Sequence, residues 1–229
     1  VTPRTRVLMF CNPHNPTGRV FSRQELARLA AICEKHDLLI ASDEIHCGLV
    51  LDADKSHVPI ATLGPEVAAR TLTFMAPSKT FNIPGLCCAF AVISDERRRS
   101  DFSLLIDGMG LEANIMGLTA ALAAYRRGAA WHAALLDYLR GNRDLVESEL
   151  ATIDALSMCH VEATYLAWID ATRLGTETPA RFFEQHGVGL SEGRHFGAPG
   201  FVRLNFGCPR STLREALARI RRAMKHPAP

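Results

Sequence analysis

At 229 residues, 48% hydrophobic and 22% charged, the chain has material for one or two globular domains. A net charge of +2 gives no electrostatic reason for a nucleic-acid partner, and no stretch approaches the length and apolarity of a membrane span. Seven cysteines without CxxC spacing, behind an N-terminus with no signal-peptide pattern, are expected to be reduced thiols of a cytoplasmic protein.

The first predicted element is a strand over Arg6–Cys11, which stops at a turn rich in Pro, Asn and Gly between Asn12 and Gly18. Ser22 to Lys35 predicts a helix: Ser22 is a candidate cap with Glu25 three residues later, and Leu26, Leu29, Ala30 and Cys33 fall along one face. Leu38–Ala41, Leu72–Met75 and Cys88–Ile93 are short apolar runs of the kind that form buried parallel strands. Cys87 and Cys88, adjacent at the last of these, would face opposite sides and pack rather than form a redox pair. The basic run Arg97–Arg99 after Asp95-Glu96 predicts a solvated helix start. Glu112 to Glu149 predicts two helices broken near Gly128, the second long enough to leave the sheet. From Met158 to His226 strands and helices mix, with Arg219, Arg221 and Arg222 on the polar face of a last helix. The expected fold class is therefore α/β, a mostly parallel sheet with flanking helices, followed by a smaller C-terminal α+β domain. The expected divisions are a major domain over 1–127, a connecting helix over 128–157 and the small domain over 158–229.

Lys79 and Asp43 each stand just beyond an apolar run. Open α/β sheets present ligands at such strand ends, so Asn15, Asp43 and Lys79 can converge on one crevice. A lysine and a carboxylate there are what a cofactor with an aldehyde and a ring nitrogen needs, and pyridoxal phosphate is such a cofactor. Taken alone, a surface lysine and a loop-end aspartate explain the same two residues equally well. Near the other end, Gly200–Arg210 places Arg203 in an alternating strand.

Asn15, Asp43, Lys79 and Arg203, in that order, resemble the fold-type I pyridoxal-phosphate enzymes of the aminotransferase class I and II superfamily. The runs SDEIHCGLV and APSKTFNIPG, the segment Glu162–Trp168 and the ending RLNFGCPR look closer to the cystathionine β-lyase-like C–S lyases. The resemblance covers Arg6 to about Ala223. It implies that Lys79 is the Schiff-base lysine, whose freed amine takes the substrate's Cα proton. It implies that Asp43 partners the pyridine nitrogen, while Glu44, the next residue along a strand, points the other way. Asn15 would donate its amide to the cofactor's ring oxygen; an ordinary Asn-Pro turn is the alternative. His46 stands where many transaminases place a tyrosine on the same oxygen, with a structural histidine as its alternative. Ser78 is a candidate phosphate contact. Many relatives, however, carry a serine where this chain has Ala76, and a basic residue after the lysine that this chain lacks. Arg203 would clamp the substrate's α-carboxylate with its planar fork, ahead of Arg210 and Arg194. Tyr165 and Trp168 are expected to pack the small domain.

The reaction implied is β-elimination, in which cystathionine or another S-substituted cysteine yields a thiol, pyruvate and ammonia. Transamination is the alternative within the superfamily, and an inactive fragment or a non-catalytic interaction module the alternative outside it. Relatives carry a substantial portion before the Asn-Pro turn, so the chain is expected to be the C-terminal part of an enzyme, acting on a small amino acid as a homodimer. Strands without their neighbours leave an open edge and apolar faces, which predicts poor solubility or weak cofactor binding for these 229 residues alone.

Overall fold

In the computed structural model, which describes residues 1–225, the chain divides into two compact units. Val1–Pro13 and Val20–Ala134 form the first; His14–Arg19 and the chain from Leu135 on form the second. The last residues of the expected small domain, from His226 on, lie outside the described residues.

In the first unit, β1 (Val7–Cys11) leads into helix α1 (Arg23–Lys35) and back to β2 (Leu39–Asp43), parallel to β1 with Cys11 opposite Asp43. The capping box at the start of α1 is present in full. Ser22 Oγ accepts from the Glu25 amide at 3.3 Å, and the Ser22 amide donates to the Glu25 carboxylate at 2.9 Å. The face predicted from spacing is the face buried: Leu26, Cys33, Phe10, Leu38, Ile40 and Ile60 form one cluster, with Leu29 and Phe21 packed against it. Phe10 meets Phe21 edge to face at 5.0 Å.

A short helix α2 (Pro65–Ala69) precedes β3 (Thr71–Met75), parallel to β2 with Asp43 opposite Phe74. The chain then makes the four-residue α3 (Pro77–Thr80) and a 3-10 turn over Pro84–Leu86 before β4 (Phe90–Ile93). Here the structure corrects the sequence expectation, because β4 runs antiparallel to β3. A parallel return is usually carried by a crossover helix, and this link carries only a one-turn helix and a 3-10 turn. The cysteine pair is corrected as well. Cys87 is exposed in the left-handed region at φ 48°, Cys88 is buried, and both precede the strand. The sheet order is β1-β2-β3-β4, three strands parallel. Helices α4 (Glu96–Gly108), capped by Asp95, and α5 (Ile115–Arg127), capped by Asn114, complete this unit with the first residues of α6 (Ala129–Leu150).

The second unit holds an antiparallel sheet in the order β5-β6-β8-β7, built from β5 (Ser157–Met158), β6 (Leu166–Asp170), β7 (Ser191–Glu192) and β8 (Phe201–Asn205). Helix α7 (Pro179–Gln185) packs with β7 and β8, and α8 (Arg210–Lys225) closes the described chain. The alternation of β8 sends Val202 and Leu204 into the core and leaves Phe201 and Arg203 on the other face. Leu213, Leu217 and Ile220 of α8, and Leu139, Val146 and Leu150 of α6, are buried in the same unit.

Candidate functional site

In the first unit, Asp43 closes β2, and Lys79 lies in the turn of helix that follows β3, the next strand of the sheet. Parallel pairing with a register of Asp43 to Phe74 brings the two residues to the same end of the sheet, where open α/β sheets take their ligands. Asp43 is half-buried and its Oδ1 accepts from the Ile45 amide at 3.1 Å. Glu44 turns the opposite way and is buried, accepting from Ser42 Oγ at 2.8 Å and from His57 Nε2 at 2.7 Å. Strand alternation thus leaves Asp43, not Glu44, on the face away from the α1 core.

The segment bearing Lys79 is held on both flanks. Thr80 is buried against the turn after β2, and a Cβ on Gly48 would sit 2.6 Å from Thr80 Oγ1. Only a glycine lets that turn, which carries His46, lie so close to the lysine segment. His46 itself is 3% exposed. Phe81, on the other flank, meets Tyr125 edge to face at 5.6 Å and stacks with Trp131 at 6.2 Å. His132 Nε2 donates to the Gly48 carbonyl. Lys79 and Ser78 remain half-buried. Ala76, the cap of α3, makes no side-chain hydrogen bond to it.

In the second unit, Asn15 and Arg203, 188 residues apart in sequence, are hydrogen-bonded: Arg203 Nη1 donates to Asn15 Oδ1 at 2.8 Å. Nη2 donates to Ser191 Oγ at 3.1 Å, and the guanidinium lies over the Phe196 ring at 4.8 Å. Burial lowers the Arg203 pKa from its ordinary value, and neighbouring Tyr165 opposes that; burial raises the Tyr165 phenol, and Arg203 opposes that in turn. The bond has a consequence for Asn15. With its carbonyl oxygen accepting from the arginine, its amide nitrogen is the end left to donate to a ligand. Trp168 stacks on Phe201 at 5.4 Å and meets Phe196 edge to face. Arg210 and Arg194 are engaged elsewhere. Arg210 donates to Asn142 Oδ1 and to the Tyr138 carbonyl, and Arg194 donates to the Glu177 carbonyl.

Three residues that the sequence did not single out take part. Ser191 orients Arg203, and His57 and Asn12 lie beside Glu44, joined through a 3.4 Å contact between Asn12 Nδ2 and His57 Nδ1. Asn12 stands in the same Asn-Pro run as Asn15; His57 and Ser191 carry no local signal. Among the described residues no cluster of three His, Cys, Asp or Glu side chains could hold a metal ion, and no helix is long and apolar enough to cross a membrane.

The family model for aminotransferase class I and II matches residues 1–220. Cystathionine beta-lyase PatB of Bacillus subtilis (strain 168) is 38% identical over 229 residues, covering 97% of this chain and 59% of PatB. Two solved structures align over nearly the whole chain. OvoB has a TM-score of 0.97 at 46% identity, covering 99% of this chain and 60% of OvoB. Cystalysin from Treponema denticola, which contains a pyridoxal 5'-phosphate cofactor, has a TM-score of 0.91 at 32% identity, covering 96% of this chain and 57% of its own. The chain spans a little under three fifths of the length of the curated relatives it matches.

Proposed function

This chain belongs to the aminotransferase class I and II family, and we propose that it carries the cofactor lysine of a pyridoxal-phosphate-dependent carbon–sulfur β-lyase. The residues of each unit suit that cofactor: in the first, an amine and a carboxylate stand at one end of the parallel sheet; in the second, Arg203 fixes the donating end of an amide. When bound, pyridoxal phosphate supplies an electron sink for the bonds at the substrate's Cα. Lys79 would hold the cofactor aldehyde, and its amine, when free, would move the substrate's Cα proton. Asp43 keeps the ring nitrogen protonated through its negative charge. Asn15 and His46 donate to the ring oxygen, and Ser78 contacts the phosphate. Arg203 takes the α-carboxylate in its fork, already aligned by Asn15, Ser191 and the Phe196 ring.

The substrate is cystathionine or another S-substituted cysteine, which with water gives a thiol, pyruvate and ammonia. The observation that supports the carbon–sulfur reading over amino-group transfer is the similarity to a cystathionine β-lyase across 97% of the chain. We propose a cytoplasmic homodimer.

The test begins with pyridoxal phosphate added to the purified chain and to Lys79→Ala. A visible absorption band that borohydride traps on Lys79, and that the variant lacks, is expected; an identical band in both proteins removes Lys79 from its role. Cystathionine is then supplied: pyruvate and free thiol support the lyase, whereas amino-group transfer to a keto acid replaces it with a transaminase.

A further inference from the structure

Behind Asp43, on the core side of β2, runs a buried chain of polar side chains to which the proposed reaction gives no part. Glu44, 1% exposed at its side chain, accepts from His57 Nε2 at 2.7 Å, Ser42 Oγ at 2.8 Å and the Ile60 amide at 3.3 Å. At its far end, Asn12 Oδ1 accepts from the Phe21 amide at 3.1 Å. That bond settles which end of the Asn12 amide faces the imidazole. Nδ2 donates across 3.4 Å to His57 Nδ1, so the ring carries its proton on Nε2, aimed at Glu44. Every link therefore runs in one direction, from Phe21 through Asn12 and His57 to the carboxylate.

The backbone is tied at the same level. The Asn12 amide donates to the Asp43 carbonyl at 3.0 Å, and the Glu44 amide to the Phe74 carbonyl at 2.9 Å. A buried carboxylate must keep its donors. Successive residues of a strand alternate faces, so a twist that moved Asp43 off its face would also pull Glu44 out of its bonds. We infer that His57, acting through Glu44, is a positioning residue that keeps Asp43 on the ligand face at the end of β2. Its importance for the cofactor depends on Asp43 serving as the ring-nitrogen partner proposed above.

His57→Ala removes the donor, whereas His57→Gln can keep an N–H toward Glu44 and a carbonyl toward Asn12. Hydrogen exchange read by mass spectrometry follows Asp43 without any cofactor, because the Ile45 amide donates to Asp43 Oδ1 and the Asn12 amide to the Asp43 carbonyl. In His57→Ala, peptides holding Asn12 and Ile45 are expected to exchange about tenfold faster, with α1 and α8 unchanged and His57→Gln close to the original. Pyridoxal-phosphate titration of the same proteins is expected to show roughly tenfold weaker binding for the alanine variant, restored by glutamine. If His57→Ala also loosens α1, Glu44→Gln takes its place, with the same local rise expected. Unchanged exchange at Asn12 and Ile45 in a folded variant overturns the positioning role, whatever the cofactor does. The expected exchange pattern in a chain that binds no pyridoxal phosphate supports the positioning of Asp43 and counts against the cofactor reading instead.

Discussion

In the second unit, β8 and the residue just past it bury Val202, Leu204 and Phe206, and α6 and α8 bury Leu139, Val146, Leu150, Leu213, Leu217 and Ile220. In the first, β1 turns Val7 and Met9 outward, and Met9 is 86% exposed. The contrast extends beyond one strand. Among the described residues, the large hydrophobics left exposed all belong to the first unit except Tyr138 and Phe196. They line β4 through Phe90 and Val92, α4 through Leu104 and Leu105, and α5 through Ile115, Met116, Leu118 and Leu122. Both sheets have the same number of strands, so the difference lies in cover. An antiparallel sheet with helices on one face can complete a core from its own sequence, whereas a mostly parallel sheet needs both faces covered. The unit that carries Lys79 and Asp43 is thus the one that leaves large apolar side chains exposed, whereas among the described residues the unit that carries Arg203 leaves only Tyr138 and Phe196 so.

The largest effect expected from this contrast is on the state of the preparation. Replacing Leu104, Leu105 and Met109 together with lysine should shift the chain from aggregates toward a defined species in sedimentation velocity. A chain already monodisperse before substitution would remove the contrast altogether. Next come paired core truncations. Phe206→Ala, at a fully buried site of the second unit, should cost about 3–5 kcal/mol in denaturant unfolding, while Met9→Ala in the first should stay within about 0.5 kcal/mol. Equal costs would show that Met9 is covered in solution.

Smaller effects sharpen the comparison at the site itself. Gly48→Ala should destabilise the first unit by roughly 1–3 kcal/mol, because the added Cβ meets the stiff, β-branched Thr80 at 2.6 Å. Arg203→Lys keeps the charge but loses the fork that spans Asn15 and Ser191, so KM for an amino acid should rise by roughly tenfold or more, with kcat less affected. The smallest concerns Asp170. Its carboxyl is held below the ordinary range by the Thr172 hydroxyl at 2.6 Å and the Thr172 amide at 2.9 Å. A depressed carboxylate stabilises the fold above its unfolded pKa and loses that contribution as pH falls through the folded value. The Tm gap between the original chain and Asp170→Asn should therefore be full above about pH 4 and close below it.

Much of this molecule could be read from local pattern. The capping box of Ser22 and Glu25, the apolar stripe of α1 and the strand ends before Asp43 and Lys79 each depend on residues within one or two turns of each other. What escaped was the direction of β4 and the partners of side chains. An apolar run reads the same in either strand direction. His57 reaches Glu44 across 13 positions and Asn12 across 45, and no periodicity links residues so spaced.

The sequence by itself determined which residue types stand at which strand ends, since backbone geometry and apolar periodicity act over a few residues. It thereby supplied an aspartate at the end of one strand and a lysine just past the next, an asparagine in the first turn and an arginine on the polar side of β8. Only the tertiary structure decided that Arg203 grips the carbonyl end of Asn15 and that Glu44 is satisfied behind Asp43. It alone also decided that Gly48 must stay small for the lysine segment to lie against its neighbouring turn. These are contacts between segments distant in the chain, set by the packing of whole elements, and hydrogen bonds of that kind exist only once the backbone has brought both partners within about 3 Å.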